Sequence, residues 1–104
     1  MRKARIFVRG HPAGLLEELE PGRKYRFVYE STYDGLPVSL TMPVSPSPYE
    51  FDRFPPFFDG LLPEGAMLDG LLRQRKIDAQ DYFGQLVAVG HELVGAVTVE
   101  EITA

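Results

Sequence analysis

The 104-residue sequence predicts an α+β domain: a small antiparallel sheet, or a partial barrel of hairpins, with two to three short helices inserted before the last strand. Three observations carry that expectation. Apolar residues alternate through most of the first 44 positions, with turn dipeptides between the runs. Helical spacing takes over after residue 65. A β-branched stretch, LVGAVTVEEI at residues 93–102, then follows the helical part. Runs of strands followed by helices favour a segregated α+β architecture over a βαβ sheet.

The first run, ARIFVR at residues 4–9, puts Ala4, Ile6 and Val8 on one side, and Gly10 allows a turn into a second strand over residues 13–19. Glu20-Pro21-Gly22 has the character of a type II turn, with Pro presetting φ and Gly accepting a positive φ. Residues 25–33 place Tyr25, Phe27, Tyr29 and Tyr33 on one face. Asp34-Gly35 is a pair that a type I′ hairpin turn prefers. A two-residue loop there pairs Tyr33 with Leu36, Ser31 with Val38, Tyr29 with Leu40, Phe27 with Met42 and Tyr25 with Val44. The two apolar sets then coincide, and a one-residue slip destroys the match. Pro37 and Pro43 put that second strand at an edge.

PVSPSPYEFDRFPP, residues 43–56, holds five of the nine prolines and is expected to run extended over the surface as a link. Residues 66–76 carry Leu68, Leu71 and Leu72 at helical spacing. Arg73, Arg75 and Lys76 lie in the last turns, where cations complement the helix dipole. Asp78 is the expected N-cap of the next helix, with Asp81 in its acidic first turn. That helix places Tyr82, Phe83, Leu86 and Val87 on one stripe, with Gly90 at C′. The final strand is expected to pair back into the N-terminal sheet, because two hairpins alone leave two open edges.

Size and composition bound the function. A single domain spanning residues 1–104 is expected, large enough to bury about two-thirds of the surface it exposes when unfolded. Hydrophobic content of 44% and charged content of 25% are ordinary for a globular chain. The absence of cysteine excludes a disulfide framework and a Cys-ligated zinc site. No segment approaches the roughly 18 consecutive apolar residues of a membrane span, and MRKARIFVRG lacks an apolar run of signal-peptide length. A cytoplasmic protein without membrane contact is the expectation.

A net charge of −4 argues against nucleic acid as the main partner, so strong direct nucleic-acid binding is not expected. Within a complex, the basic stretch Arg2 to Arg9 remains available for phosphates. Residues 1–29 carry seven Lys/Arg against three Glu, whereas residues 30–72 carry seven Asp/Glu against Arg53 alone. The acidic centre reads as a solvated face or as a patch that steers a basic partner.

Catalytic chemistry is mostly missing. His11 and His91 are the only histidines, and His91-Glu92 lacks the HExxH spacing of a zinc helix. Neither a nucleophile elbow nor a phosphate-cradling glycine loop is present. Glu50 and Asp52 form a close acidic pair, but in a linker such pairs are ordinarily solvated. The aromatic face at positions 25, 27, 29 and 33 could stack bases. It lacks interleaved Lys or Arg, which favours a core. No catalytic residue, cofactor or metal ligand is therefore assigned.

FPPFFDGLLPEGAMLDGLL, residues 54–72, fits neither a buried helix nor a solvated loop. Pro63-Glu64-Gly65 interrupts it, yet Phe57, Phe58, Leu61, Leu62 and Met67 are large and apolar. Most of the first four are expected in the core, within one helical turn. Met67 is read either as an exposed anchor, since Met packs adaptably at interfaces, or as core.

At FFDGLLPEGAMLDGLL the chain resembles the N-terminal subdomain of the HipA-type serine/threonine kinases of bacterial toxin–antitoxin systems. HPAGLLEEL, YRFVYE, PVSLTMPV and QDYFGQLVAVGHELVGAVTV extend the resemblance, in order, across nearly the whole chain. F-F-x-x-L-L-P-E-G followed by the Gly90–Val97 pattern is its specific part. The resemblance implies that the kinase's catalytic loop, metal-binding Asp and ATP-binding loop lie beyond this region, so the chain is expected to be no enzyme. It is similar to the separately encoded small form, HipS, of three-gene HipBST-type systems. There a HipA-like kinase (HipT) lacks this subdomain, a helix-turn-helix HipB-like protein binds DNA, and the small protein is the antitoxin. The alternative is a detached structural subdomain that completes a HipA-like kinase without inhibiting it. The expected partner-binding residues are Phe57, Asp59, Leu62, Pro63, Glu64, Gly65, Met67 and Asp69.

Overall fold

A tight hairpin starts the sheet. Strand β1 (Arg2–Val8) turns through Arg9 and Gly10, both at positive φ (52° and 81°), into β2 (His11–Glu20). Paired positive φ values make the twist of a two-residue turn match the twist of the strands. The second turn closes with Arg23 N–H donating to the Glu20 carbonyl at 3.0 Å, with Gly22 at φ 72°. It leads into β3 (Lys24–Tyr29) as the type II reading expects. This computed structural model describes residues 1–93 and 95–102.

The short strand β4 (Tyr49–Phe51) pairs with β3, and three helices follow: α1 (Pro56–Asp59), α2 (Gly65–Arg75) and α3 (Tyr82–Val89). A 3-10 turn (Gly90–Glu92) then feeds β5 (Val97–Ile102), which pairs with β1. The result is an open antiparallel sheet of order β4-β3-β2-β1-β5, with the helices before the last strand. The last strand does return to the N-terminal sheet, leaving β4 and β5 at the edges.

One face of the sheet supplies the core. Ala4, Ile6, Leu16, Tyr25, Phe27 and Val99 are fully buried on it, and Phe58 of α1 with Phe83 and Leu86 of α3 close over them. Phe27 sits edge-on to Tyr29, with ring centres 4.9 Å apart, and 6.0 Å from Phe58. Such pairs add to simple area burial. The aromatic row of β3 is therefore core rather than a stacking platform.

Four expectations are corrected. First, Asp34-Gly35 does not set a hairpin. The strand beside β3 is β4, so Tyr25 faces Phe51 and Phe27 faces Tyr49. Residues 30–48 form a loop whose one bridge joins Ser39 to Met42, and Leu40 projects into solvent. The prolines at 37 and 43 remove the N–H groups a ladder there would need. Tyr29 instead ties the loop with its side chain: its hydroxyl donates to the Met42 carbonyl and accepts from Val38 N–H at 2.9 Å.

Second, the proline-rich link contains the edge strand β4; Tyr49, Glu50 and Phe51 are the stretch free of proline. Third, the N-cap of α3 is Asp81, whose Oδ1 accepts from Gly84 N–H at 3.0 Å. Asp78 caps a preceding turn by accepting from Gln80 N–H at 2.7 Å. Fourth, Gly90 is not a left-handed C′ residue (φ −53°, ψ −35°). A Cβ there would lie 2.0 Å from the Val99 carbonyl oxygen, so glycine allows the chain to pass against β5.

Candidate functional site

The interrupted apolar stretch becomes two helices of different standing. Helix α1 starts at Pro56, a favoured residue for the first helical position. It is carried on by Leu61 N–H to the Phe58 carbonyl and Leu62 N–H to the Asp59 carbonyl, both at 3.1 Å. This turn buries Phe58 completely and leaves Phe57, Leu61 and Leu62 partly covered against the core. Phe57 packs edge-on to Phe58 at 5.2 Å. Pro63 stops the turn, and Gly65, at φ 59°, starts α2.

Helix α2 has no buried residue and no side-chain cap at Glu64. Leu68, Leu71 and Leu72 do fall on one stripe, but that stripe is only half-covered. Met67 is 77% exposed, which excludes the core reading of this residue. Asp59, Glu64, Gly65 and Asp69 are exposed as well, whereas Phe57, Leu62 and Pro63 are half-buried. Among the described residues no salt bridge involves Asp59, Glu64 or Asp69. The structure thus gathers Glu64, Gly65, Met67 and Asp69 at the exposed start of α2. Phe57 and Leu62 form the apolar foot of the same segment.

The acids of the body are engaged differently. Arg2 forks onto Glu18 at 2.7 and 2.9 Å and onto Asp81 at 2.7 and 3.1 Å, and its guanidinium lies 5.0 Å from the Phe83 ring centre. The fork holds the N-cap of α3 against β1 and β2. It pushes the Asp81 carboxyl below the usual carboxylate range, chiefly through the Arg2 hydrogen bond, with Gly84 N–H adding to it. It holds Arg2 further above its ordinary value, through Asp81 first and then Glu18. Glu17 bridges Arg26 at 2.9 Å and Lys3 at 3.7 Å. Two cations of the Arg2–Arg9 stretch, Arg2 and Lys3, are therefore paired with acids of β2 and of the α3 N-cap within the fold.

Buried Gln85 is a structural residue that the sequence reading missed. Its Nε2 donates to the carbonyls of Ala79 at 3.1 Å and Asp78 at 3.3 Å, fixing the turn between α2 and α3. A polar residue flanked by buried Phe83 and Leu86 was the available signal.

Among the described residues no group of three or more His, Cys, Asp and Glu is placed to hold a metal ion. His11 and His91 are exposed and apart in the chain. No helix is long and apolar enough to cross a membrane, among the described residues. Tyr25, Tyr29 and Tyr33 have raised pKa values and owe the shift first to burial, and the hydroxyls of Tyr25 and Tyr29 hold turns and loops.

Fold and surface define a small α+β domain whose helices precede its last strand and whose α2 stands largely uncovered. Residues 4–100 match the HipA N-terminal domain family, and the chain belongs to that family. An uncharacterised protein of Haemophilus influenzae is 35% identical over 101 residues, spanning 97% of this chain and 93% of that protein. A solved N-terminal domain of HipA toxin superposes with a TM-score of 0.76 at 30% identity, over 99% of this chain and 94% of the other. The family resemblance read from the sequence and the open-sheet α+β fold are thereby shown. The matched region is a HipA N-terminal domain and contains no kinase domain.

Proposed function

We propose that this chain is an antitoxin-type binding module that docks on and neutralises a HipA-like serine/threonine kinase lacking this subdomain. The observation that carries the reading is Met67, a large apolar side chain that is 77% exposed beside Glu64 and Asp69, acids without a salt bridge among the described residues. A kinase nucleotide site must hold phosphates and is expected to be basic, so the acids steer the approach while Met67 anchors the contact. The Haemophilus relative, covered to 93% by this domain, supports separate encoding, since that protein is itself little larger. The reading allows a helix-turn-helix HipB-like protein as a third member of the complex. It assigns the chain no phosphoryl transfer of its own and no strong duplex-DNA binding.

A second reading has support in the structural match, which is to a domain of the toxin itself. In that case the module completes a kinase fold and inhibits nothing. Kinase assays with the complex separate the two, because only the antitoxin reading expects activity to fall on addition of the module.

Binding is tested with two variants. Glu64→Lys is expected to slow association, most at low salt, since rim charges act mainly on encounter. Met67→Asp is expected to cost about 2 kcal/mol of affinity, as a central apolar anchor does, and to melt like the parent. If both variants bind and neutralise normally, the interface lies elsewhere, with Glu50 and Asp52 the next residues to test.

A further inference from the structure

Beside α1 lies an apolar groove of about 290 Å³. It is lined by Tyr49 and Phe51 of the edge strand, by Thr41 and Met42 of the loop, and by Pro55, Pro56 and Phe57 at the start of α1. Nothing charged lines it. The volume lies near the low end for ligand pockets, enough for a large apolar side chain and its neighbour.

The groove is preformed. Its loop wall is held by two tyrosine hydroxyls: Tyr29 binds Val38 N–H and the Met42 carbonyl, and Tyr49 donates to the Pro43 carbonyl at 2.6 Å. The α1 side begins with two consecutive prolines, Pro55 and Pro56, whose φ angles are fixed. A cleft with both walls held loses little entropy on being filled. Leu40, 93% exposed, and exposed Val44 stand on the same loop as Thr41 and Met42.

The surroundings choose the occupant. Residues 49–69 carry Glu50, Asp52, Asp59, Glu64 and Asp69, all exposed, against Arg53 alone. Lys24 and Arg53 share a neighbouring hollow with Glu50 and Asp52. That leaves Asp59, on the same helix as Phe57, Glu64 at the N-cap of α2 and Asp69 within it without a salt bridge among the described residues.

We infer that the Thr41–Phe57 groove receives an apolar side chain carried on a basic segment of the partner kinase, forming a second contact beside the Met67 face. The inference rests on the kinase being the partner. Phe57 joins the two contacts, because it lines the groove and packs on Phe58 in the helix that leads through Pro63 into α2.

The three methionines make the test direct. Met42 is the groove wall, Met67 the anchor, and Met1 an exposed control. The protein carrying ¹³C-methyl methionine is titrated with an inactive HipA-like kinase chain that lacks this subdomain. The Met42 signal is expected to shift together with that of Met67. Thr41→Trp, which fills the groove from an exposed position, is expected to weaken binding tenfold or more at an unchanged melting temperature. Thr41→Glu leaves the groove open, adds an acid at its mouth, and is expected to bind at least as well as the parent.

A Met67 shift with Met42 unmoved overturns the groove and leaves the proposed function standing. Parent-like binding by Thr41→Trp overturns it too, whatever Met42 does. If Thr41→Trp fails to fold, the Met42 signal of the parent and the affinity of Thr41→Glu decide, and weaker binding by Thr41→Glu counts against the inference. Absence of any complex overturns the proposed function and the groove together.

Discussion

The sheet body and helix α2 use the same kinds of side chain to different ends. In the body, Ile6, Leu16, Phe27, Phe83 and Leu86 are all fully buried, and α3 closes onto the sheet through Phe83 and Leu86. In α2, Leu68, Leu71 and Leu72 repeat at the spacing that marks a core-facing helix, and none of them is buried. Periodicity reports that a helix has an apolar side. It does not report whether the same domain supplies the cover. A half-covered leucine row next to an exposed Met67 makes α2 a helix with contacts to spare.

Substitutions in the body and in α2 test that division, the largest effect first. Phe58→Ala removes a fully buried ring that touches both Phe27 and Phe57. It is expected to destabilise the domain by about 3–5 kcal/mol, the range for large core truncations, read as a lower denaturant midpoint. Leu71→Ala on α2 is the contrast and is expected to cost about 1 kcal/mol or less, since surface changes do little. Equal losses at the two positions would mean that α2 belongs to the core after all.

Next is the Arg2 fork, which ties the body to the start of α3. Glu18 is only 4% exposed at its side chain, so Arg2→Ala strands a buried carboxylate. Arg2 is itself partly solvated, and a loss of about 2 kcal/mol is expected. The pH dependence has a definite sign. The Asp81 pKa is lowered in the folded state. Its contribution is therefore complete above the ordinary carboxylate pKa and is lost as pH falls through the depressed value. Asp81→Asn is expected to melt below the parent at neutral pH, with the difference shrinking on acidification. A difference independent of pH would show that the cap geometry, rather than the charge, is what Asp81 provides.

The legible parts of the fold were those with local causes. Gly10 and Pro21-Gly22 sit between segments that can pair, so their turns form as read. Asp34-Gly35 is as good a hairpin signal, yet the prolines at 37 and 43 deny its far side a ladder, and Tyr49–Phe51 takes the place beside β3. The alternation of Val38, Leu40 and Met42 resembles a strand but splits into two buried residues and an exposed one. What decides it is the Tyr29 hydroxyl, a tertiary contact with no trace in local pattern. Likewise Asp78 and Asp81 are equivalent as caps until the Arg2 fork and Gly84 N–H select Asp81. At the candidate site, the break at Pro63-Glu64-Gly65 was readable, but the exposure of Met67 depends on α2 standing off the body.

The smallest effect expected is also the most specific to α2. Gly70 lies mid-helix, and a Cβ built there meets nothing within 4 Å. Packing therefore does not require glycine at this position. Glycine in a helix interior costs about 1 kcal/mol relative to alanine, so Gly70→Ala is expected to stabilise α2 by about that much. How the gain is read distinguishes two pictures. If α2 opens independently of the body, the global melting temperature hardly moves, and the α2 amides exchange about fivefold more slowly. If α2 unfolds only with the body, the melting temperature rises and exchange slows across the sheet alike. The first outcome is expected, because α2 has no buried side chain, no side-chain cap at Glu64 and a glycine start. It carries a consequence for the partner: a helix already ordered loses less entropy on docking. Gly70→Ala is then expected to tighten kinase binding slightly while Met67→Asp weakens it. Tighter exchange without tighter binding would place α2 outside the interface and leave the α1 side of the molecule to carry the contact.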